Sequence, residues 1–199
     1  MIRTFSLSVI SLLFFACGGS DSTQETIAAD SEPTFVAFAD VASAMDEGAD
    51  VATTRRLLLD AYPRVANELN NGIEVQASEE YILLSNRLAD GAKGDTLAAL
   101  PLYKAAEVYQ ALGDFKGAAL VFERIYTEFP TFSKAGEALF MLGFTYDENL
   151  RDTARAREAY EKFLMEYPEN TFADDTQMLL ENLGKSDEEM LRMLEERAQ

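Results

Sequence analysis

The 199-residue sequence predicts an all-α fold, a short solenoid of stacked helical hairpins ending in a C-terminal capping helix. Three observations carry that expectation. Ala118-x3-Phe122-x2-Ile125-x4-Pro130 recurs as Ala156-x3-Tyr160-x2-Phe163-x4-Pro168, every member displaced by 38 positions. A second block upstream, Leu102-x3-Ala106-x2-Tyr109, recurs as Leu139-x3-Gly143-x2-Tyr146 at an offset of 37. Within each block the apolar residues fall three and four apart, the spacing that puts them on one face of a helix. Two such helices joined by a turn cannot bury their apolar faces alone, so hairpins of this kind must stack on neighbours.

The elements follow in chain order. Met1 to Thr4 carry one positive side chain, Arg3, and lead into Phe5 to Ala16, a run dominated by Leu, Ile, Val and Phe. That run is too short to span about 30 Å of hydrocarbon. It suits the apolar region of a secretory signal, so residues 1–16 are expected to be removed. The run ends in Leu13-Phe14-Phe15-Ala16-Cys17, which resembles the lipobox of bacterial lipoproteins, with Phe14 standing where that motif usually has a smaller aliphatic residue. The resemblance implies that Cys17 is acylated, palmitate being among the chains, and that the protein's first partner is a membrane held through those chains. Residues 17–33 open on Gly18-Gly19-Ser20-Asp21-Ser22 and read as a flexible tether.

Residues 34–96 read as an N-terminal helical region, compatible with a degenerate repeat packed under the first clear one. Val51 to Leu69 and Glu79 to Ala89 have helical spacing, separated by Asn70-Asn71-Gly72, with Pro63 expected to kink or shorten the former. Thr34 to Met45 is open between a further helix and part of the tether. Residues 97–199 hold the two repeats and the cap. Gly113-Asp114 breaks the first unit and Asn149 to Asp152 the second, whose internal turn is one residue longer. Asp114 and Asp152 are placed to N-cap the helices that follow. Thr171-x2-Asp174 and Ser186-x2-Glu189 have the form of capping boxes opening two further helices.

Small residues at Ala106, Ala118, Gly143 and Ala156, aromatic residues at Tyr109, Phe122, Tyr146 and Tyr160, and closing prolines at Pro130 and Pro168 resemble the tetratricopeptide repeat. The usual period of that repeat is about 34 residues, and the extra length here lies mainly in the connection Thr131 to Gly136. The phrase Tyr167-Pro168-Glu169-Asn170-Thr171-Phe172-Ala173-Asp174-Asp175 is similar to one found in BamD-like and YbgF-like tetratricopeptide lipoproteins. The ending Leu180-Glu181-Asn182-Leu183-Gly184 is similar to that of a small family of such lipoproteins in Bacteroidetes. What the resemblance implies is a protein-binding adaptor or scaffold in cell-envelope assembly or maintenance, lipid-anchored in the outer membrane and facing the periplasm. Its groove is lined by the first helix of each repeat, which here maps to Tyr103, Glu107, Gln110, Phe140, Phe144 and Asp147. Phe140 and Phe144, four apart, share one helical face; they either serve a partner or pack as core. The alternative function is a surface-exposed lipoprotein that binds a ligand or glycan.

Composition narrows the rest. Acids outnumber bases 35 to 17, for a formal charge of -18, which argues against a nucleic-acid partner because phosphates need clustered Lys and Arg. There is no histidine, hence neither the usual general base nor the commonest metal ligand. Cys17 is the sole cysteine and is consumed by acylation. Phosphate-loop, nucleophile-elbow and calcium-loop motifs are missing from the sequence, so no enzyme, cofactor or metal is expected. Asp174-Asp175 and Asp187-Glu188-Glu189 fall at helix starts, where the helix dipole stabilises negative charge.

Overall fold

The computed structural model describes residues 35–67 and 72–197. The signal segment, Cys17 and the tether lie outside the described residues. Thr34 to Met45 resolves in favour of a helix, α1 (Ala39–Asp46). α2 (Val51–Ala61) follows, its first turn capped by the Asp50 carboxylate, which accepts the Thr53 N–H at 2.7 Å. α2 ends well short of Leu69, correcting the longer helix expected from spacing. Pro63 has no N–H to continue the ladder, and the chain tightens into a 3-10 turn, Tyr62–Val65. Two short strands the sequence did not signal come next: β1 (Ala66–Asn67) pairs antiparallel with β2 (Gly72–Ile73), Ala66 opposite Ile73. α3 (Val75–Gly91) is longer at both ends than Glu79 to Ala89.

α3 is the wall on which the N-terminal region is built. The Tyr81 ring is fully buried and meets Phe38 and Tyr62 edge-on at 5.7 and 5.1 Å, a favoured aromatic geometry. Next to it in the chain, the buried Glu80 carboxylate accepts the Val36 N–H at 2.9 Å and the Phe38 N–H at 2.8 Å. A side chain of α3 thus satisfies backbone donors that open the described chain.

The repeats form α4 (Ala99–Ala111) with α5 (Phe115–Glu128), and α6 (Ala135–Phe144) with α7 (Thr153–Glu166), followed by α8 (Ala173–Asn182) and α9 (Asp187–Arg197). Each of α3 to α8 packs on the next, so one core runs from Phe38 through to Phe163. Both expected caps form: Asp114 accepts the Gly117 N–H and Asp152 the Arg155 N–H. Gly113 supplies the left-handed conformation, φ 77°, that turns α4 into α5. The extra residue of the second unit is absorbed in a π-helical turn, Thr145–Asn149, a common fate of a one-residue insertion at a helix end. Ser186 and Glu189 close a reciprocal capping box at the start of α9. Thr171 does not cap α8, contrary to expectation: the helix starts one residue later, Phe172 is its N-cap, and Asn170 Oδ1 takes the Phe172 N–H.

The matched positions form the joint of each hairpin. Ala106, Ala118, Phe122, Ile125, Ala156, Tyr160 and Phe163 are all fully buried. Gly143 lies flat beneath the Tyr160 ring: a Cβ there would fall 2.6 Å from Tyr160 Cδ1 and 2.7 Å from Cε1. Because that ring is itself fully buried, it has nowhere to move. Gly143→Ala is therefore expected to destabilise the protein by about 1–2 kcal/mol in urea unfolding, overpacking outweighing the helix-propensity gain of roughly 1 kcal/mol. Gly91→Ala, where an added Cβ meets nothing within 4 Å, should be neutral or stabilising in the same measurement.

Candidate protein-binding face

The first helices α4, α6 and α8 recur at successive levels of the stack, and two hydrogen bonds tie α4 to the α6 segment directly. Tyr103 donates its hydroxyl to Glu137 Oε1 at 2.8 Å, and Gln110 Nε2 reaches Thr145 Oγ1 at 3.5 Å. Tyr103 is nearly buried, its ring edge-on to Phe122 at 5.7 Å. Lys134 covers the other side, Nζ 4.9 Å from the ring centroid, and donates to Glu137 Oε2 at 2.6 Å. The same arrangement stands one level earlier. Lys104 Nζ lies 5.3 Å from the Tyr62 ring centroid and 2.6 Å from Glu107 Oε2. Two rings, two ammonium groups and two carboxylates thus make a repeated polar-aromatic row, with Glu107, Gln110, Lys104 and Glu137 all half-exposed.

The phenylalanines part company with this row. Phe140 is only 8% exposed and is stacked on Phe172 at 4.7 Å with the rings 10° from parallel, with Phe163 at 5.9 Å and Tyr160 at 6.4 Å. Of the two roles left open for it, the structure gives it core: Phe172, from the connection before α8, closes over it. Phe144 is half-exposed beside it, 6.2 Å away. Asp147 sits in the π-helical turn, 9% exposed, accepting a long hydrogen bond of 3.4 Å from the Tyr160 hydroxyl.

The partners that sequence reasoning missed are Tyr62, Lys104, Lys134, Glu137 and Phe172. The Lys-x2-Glu pairs, Lys104 with Glu107 and Lys134 with Glu137, were a usable signal, since i,i+3 ion pairs share a helix face. Electrostatics mark two sites. Burial pushes the Glu137 carboxyl up, but the hydrogen bonds from Lys134 and Tyr103 outweigh it and hold it below the ordinary value. Tyr103 is held strongly in its neutral form by burial and by its bond to Glu137. Asp147 goes the other way. Burial, and then the charge of Glu148, raise it above the ordinary value, with the Tyr160 hydrogen bond and Arg151 only partly offsetting them. Among the described residues, no three Cys, Asp or Glu side chains converge as metal ligands would, and no helix is long and apolar enough to cross a membrane.

Residues 102–131 and 137–170 match the tetratricopeptide repeat family, each match covering one of the two hairpins just described. This chain contains tetratricopeptide repeats. No curated protein and no solved structure matches it. The buried small and aromatic residues of the joints are accordingly tetratricopeptide packing positions, and the half-exposed Lys104, Glu107, Gln110 and Glu137 lie on the helices that carry the first half of each repeat. Tetratricopeptide hairpins present such surfaces to other proteins, and protein binding is the role these repeats support.

Two outcomes are expected from this geometry. Phe140→Ala should cost about 3–5 kcal/mol in chemical denaturation, the range for emptying an aromatic core site. Asp147→Asn should raise the melting temperature at neutral pH. A carboxyl whose folded pKa lies above its unfolded one destabilises the fold when ionised, and wild-type stability recovers as pH falls through the folded value. The advantage of the Asn variant should therefore be full above the raised pKa and vanish near the ordinary Asp value of about 3.9. An advantage that persists unchanged in acid would contradict this account.

Proposed function

We propose that the chain is a non-enzymatic, lipid-anchored adaptor of the outer membrane, facing the periplasm. It binds an extended or helical segment of another envelope protein along the face of α4, α6 and α8, in the manner of BamD-like and YbgF-like components. The observation that carries this reading is the pair of tandem tetratricopeptide hairpins bearing a row of half-exposed Lys and Glu groups set over aromatic rings. Such a row offers hydrogen-bond donors and acceptors at regular intervals along a rigid scaffold, which suits a linear partner. Supporting the anchor are the apolar run ending at Ala16-Cys17 and the Gly/Ser-rich residues after it. The excess of acids, 35 against 17 bases, favours basic partners and fast, salt-sensitive association.

One cell-based experiment tests both halves. Cells fed labelled palmitate should label the native chain and leave Cys17→Ser unlabelled; equal labelling of the two would remove the anchor. In the same cells, a crosslinked envelope partner of the native chain should fall by about tenfold or more in a chain carrying Glu107→Arg and Gln110→Arg, with its circular dichroism unchanged. Undiminished capture would move recognition off this face.

A further inference from the structure

One cavity stands apart from the polar-aromatic row. It has a volume of about 550 Å³ and lies between the π-helical turn and the end of α8, with Asp147 and Glu148 on one side and Leu179, Leu183 and Gly184 on the other. That size is within the range of sites that take small ligands or single side chains, about 300–1,000 Å³.

Its charges do not balance pairwise. Glu148 has a cation, Arg151, at 3.6 Å. Lys185 turns its Nζ to Asn182 Oδ1 at 3.3 Å instead of to an acid. Asp147 is more than nine-tenths buried, lines the cavity, and has no Lys or Arg within ion-pair distance among the described residues. Its one hydrogen bond, from Tyr160, is 3.4 Å long, against about 2.5–3.0 Å for a good O–H···O contact. A carboxylate can accept some four hydrogen bonds, so most of this one's capacity is left to whatever fills the cavity. A buried acid so poorly served stabilises nothing in the free chain. It marks a binding site when it lies in a cleft.

We propose that this cavity receives one cationic side chain, lysine or arginine, from the protein segment bound along the first helices. Asp147 takes the charged head and the Leu179 and Leu183 side chains cover the hydrocarbon stem, the division of labour that long basic side chains favour. The cavity adjoins the proposed face at α6 and α8, because Asp147 lies in the turn that follows α6 and Leu179 lies on α8. This inference rests on the groove reading for the identity of its ligand, but not for its chemistry.

The test is a titration of the isotopically labelled full-length chain in detergent with Nα-acetyl-lysine amide, followed by amide shifts in nuclear magnetic resonance. Nα-acetyl-norleucine amide serves as the uncharged match. The lysine amide should shift the Thr153, Asn182 and Gly184 amides saturably. The norleucine amide should not, and Asp147→Asn should weaken the response by about tenfold or more. That variant should melt no lower than the native chain, so lost binding would not be lost structure. Shifts spread over the acidic surface, equal shifts with norleucine amide, or an unchanged response in Asp147→Asn would each overturn the proposal. The Glu107→Arg, Gln110→Arg chain separates the two readings. A local, Asp147-dependent response that survives in it supports the cavity even where partner capture fails, and absence of the local response overturns the cavity while leaving the capture result intact.

Discussion

The stack depends on how closely the two helices of a hairpin can approach. A tyrosine ring lies against a backbone with no side chain at Gly143, and the distance that sets is passed to every neighbouring level because α6 packs on both α5 and α7. An array of this kind has no central core to average out local errors; each interface is the next one's foundation. Small residues opposite large rings are therefore the condition under which the first helices line up and the polar row they carry acquires a regular spacing.

The repeats were legible for the same reason. Joint positions tolerate few residue types, so their pattern survives even where the loop lengths differ, and the change of offset from 37 to 38 places the inserted residue between Tyr146 and Ala156. The caps at Asp114 and Asp152 were legible because a cap is a local interaction over three residues. Phe140 was not decidable. Its fate turns on Phe172, which reaches it through a connection whose path no periodicity encodes. The β1–β2 pair escaped for lack of length, since two residues per strand carry no alternation to read. Asp147 was picked out by register alone. Its burial comes from the π-helical turn, which sequence spacing indicated only as a longer loop.

The row on the first helices is already internally paired. Lys104 and Lys134 each hold a carboxylate and cover a ring, in side chains that keep a third or more of their exposure. Pairs of this sort contribute about 0–1 kcal/mol each. A bound segment can take over one member of a pair at small cost, while the pairing keeps the side chains ordered when the face is empty. Such a surface suits exchange between partners better than permanent capture, and its behaviour will follow ionic strength closely.

The Glu80 carboxylate has a mechanical meaning. It grips the backbone at Val36 and Phe38 from the middle of α3, and the Phe38 ring is buried against Tyr81 directly below. Any pull exerted through the residues ahead of Phe35 arrives first at this clamp and at the packing of α1. The hairpins from α4 onward lie beyond it in the chain and would be spared until the clamp gives way. A chain held at its N-terminal end can thus be tugged without deforming the surface it offers to others.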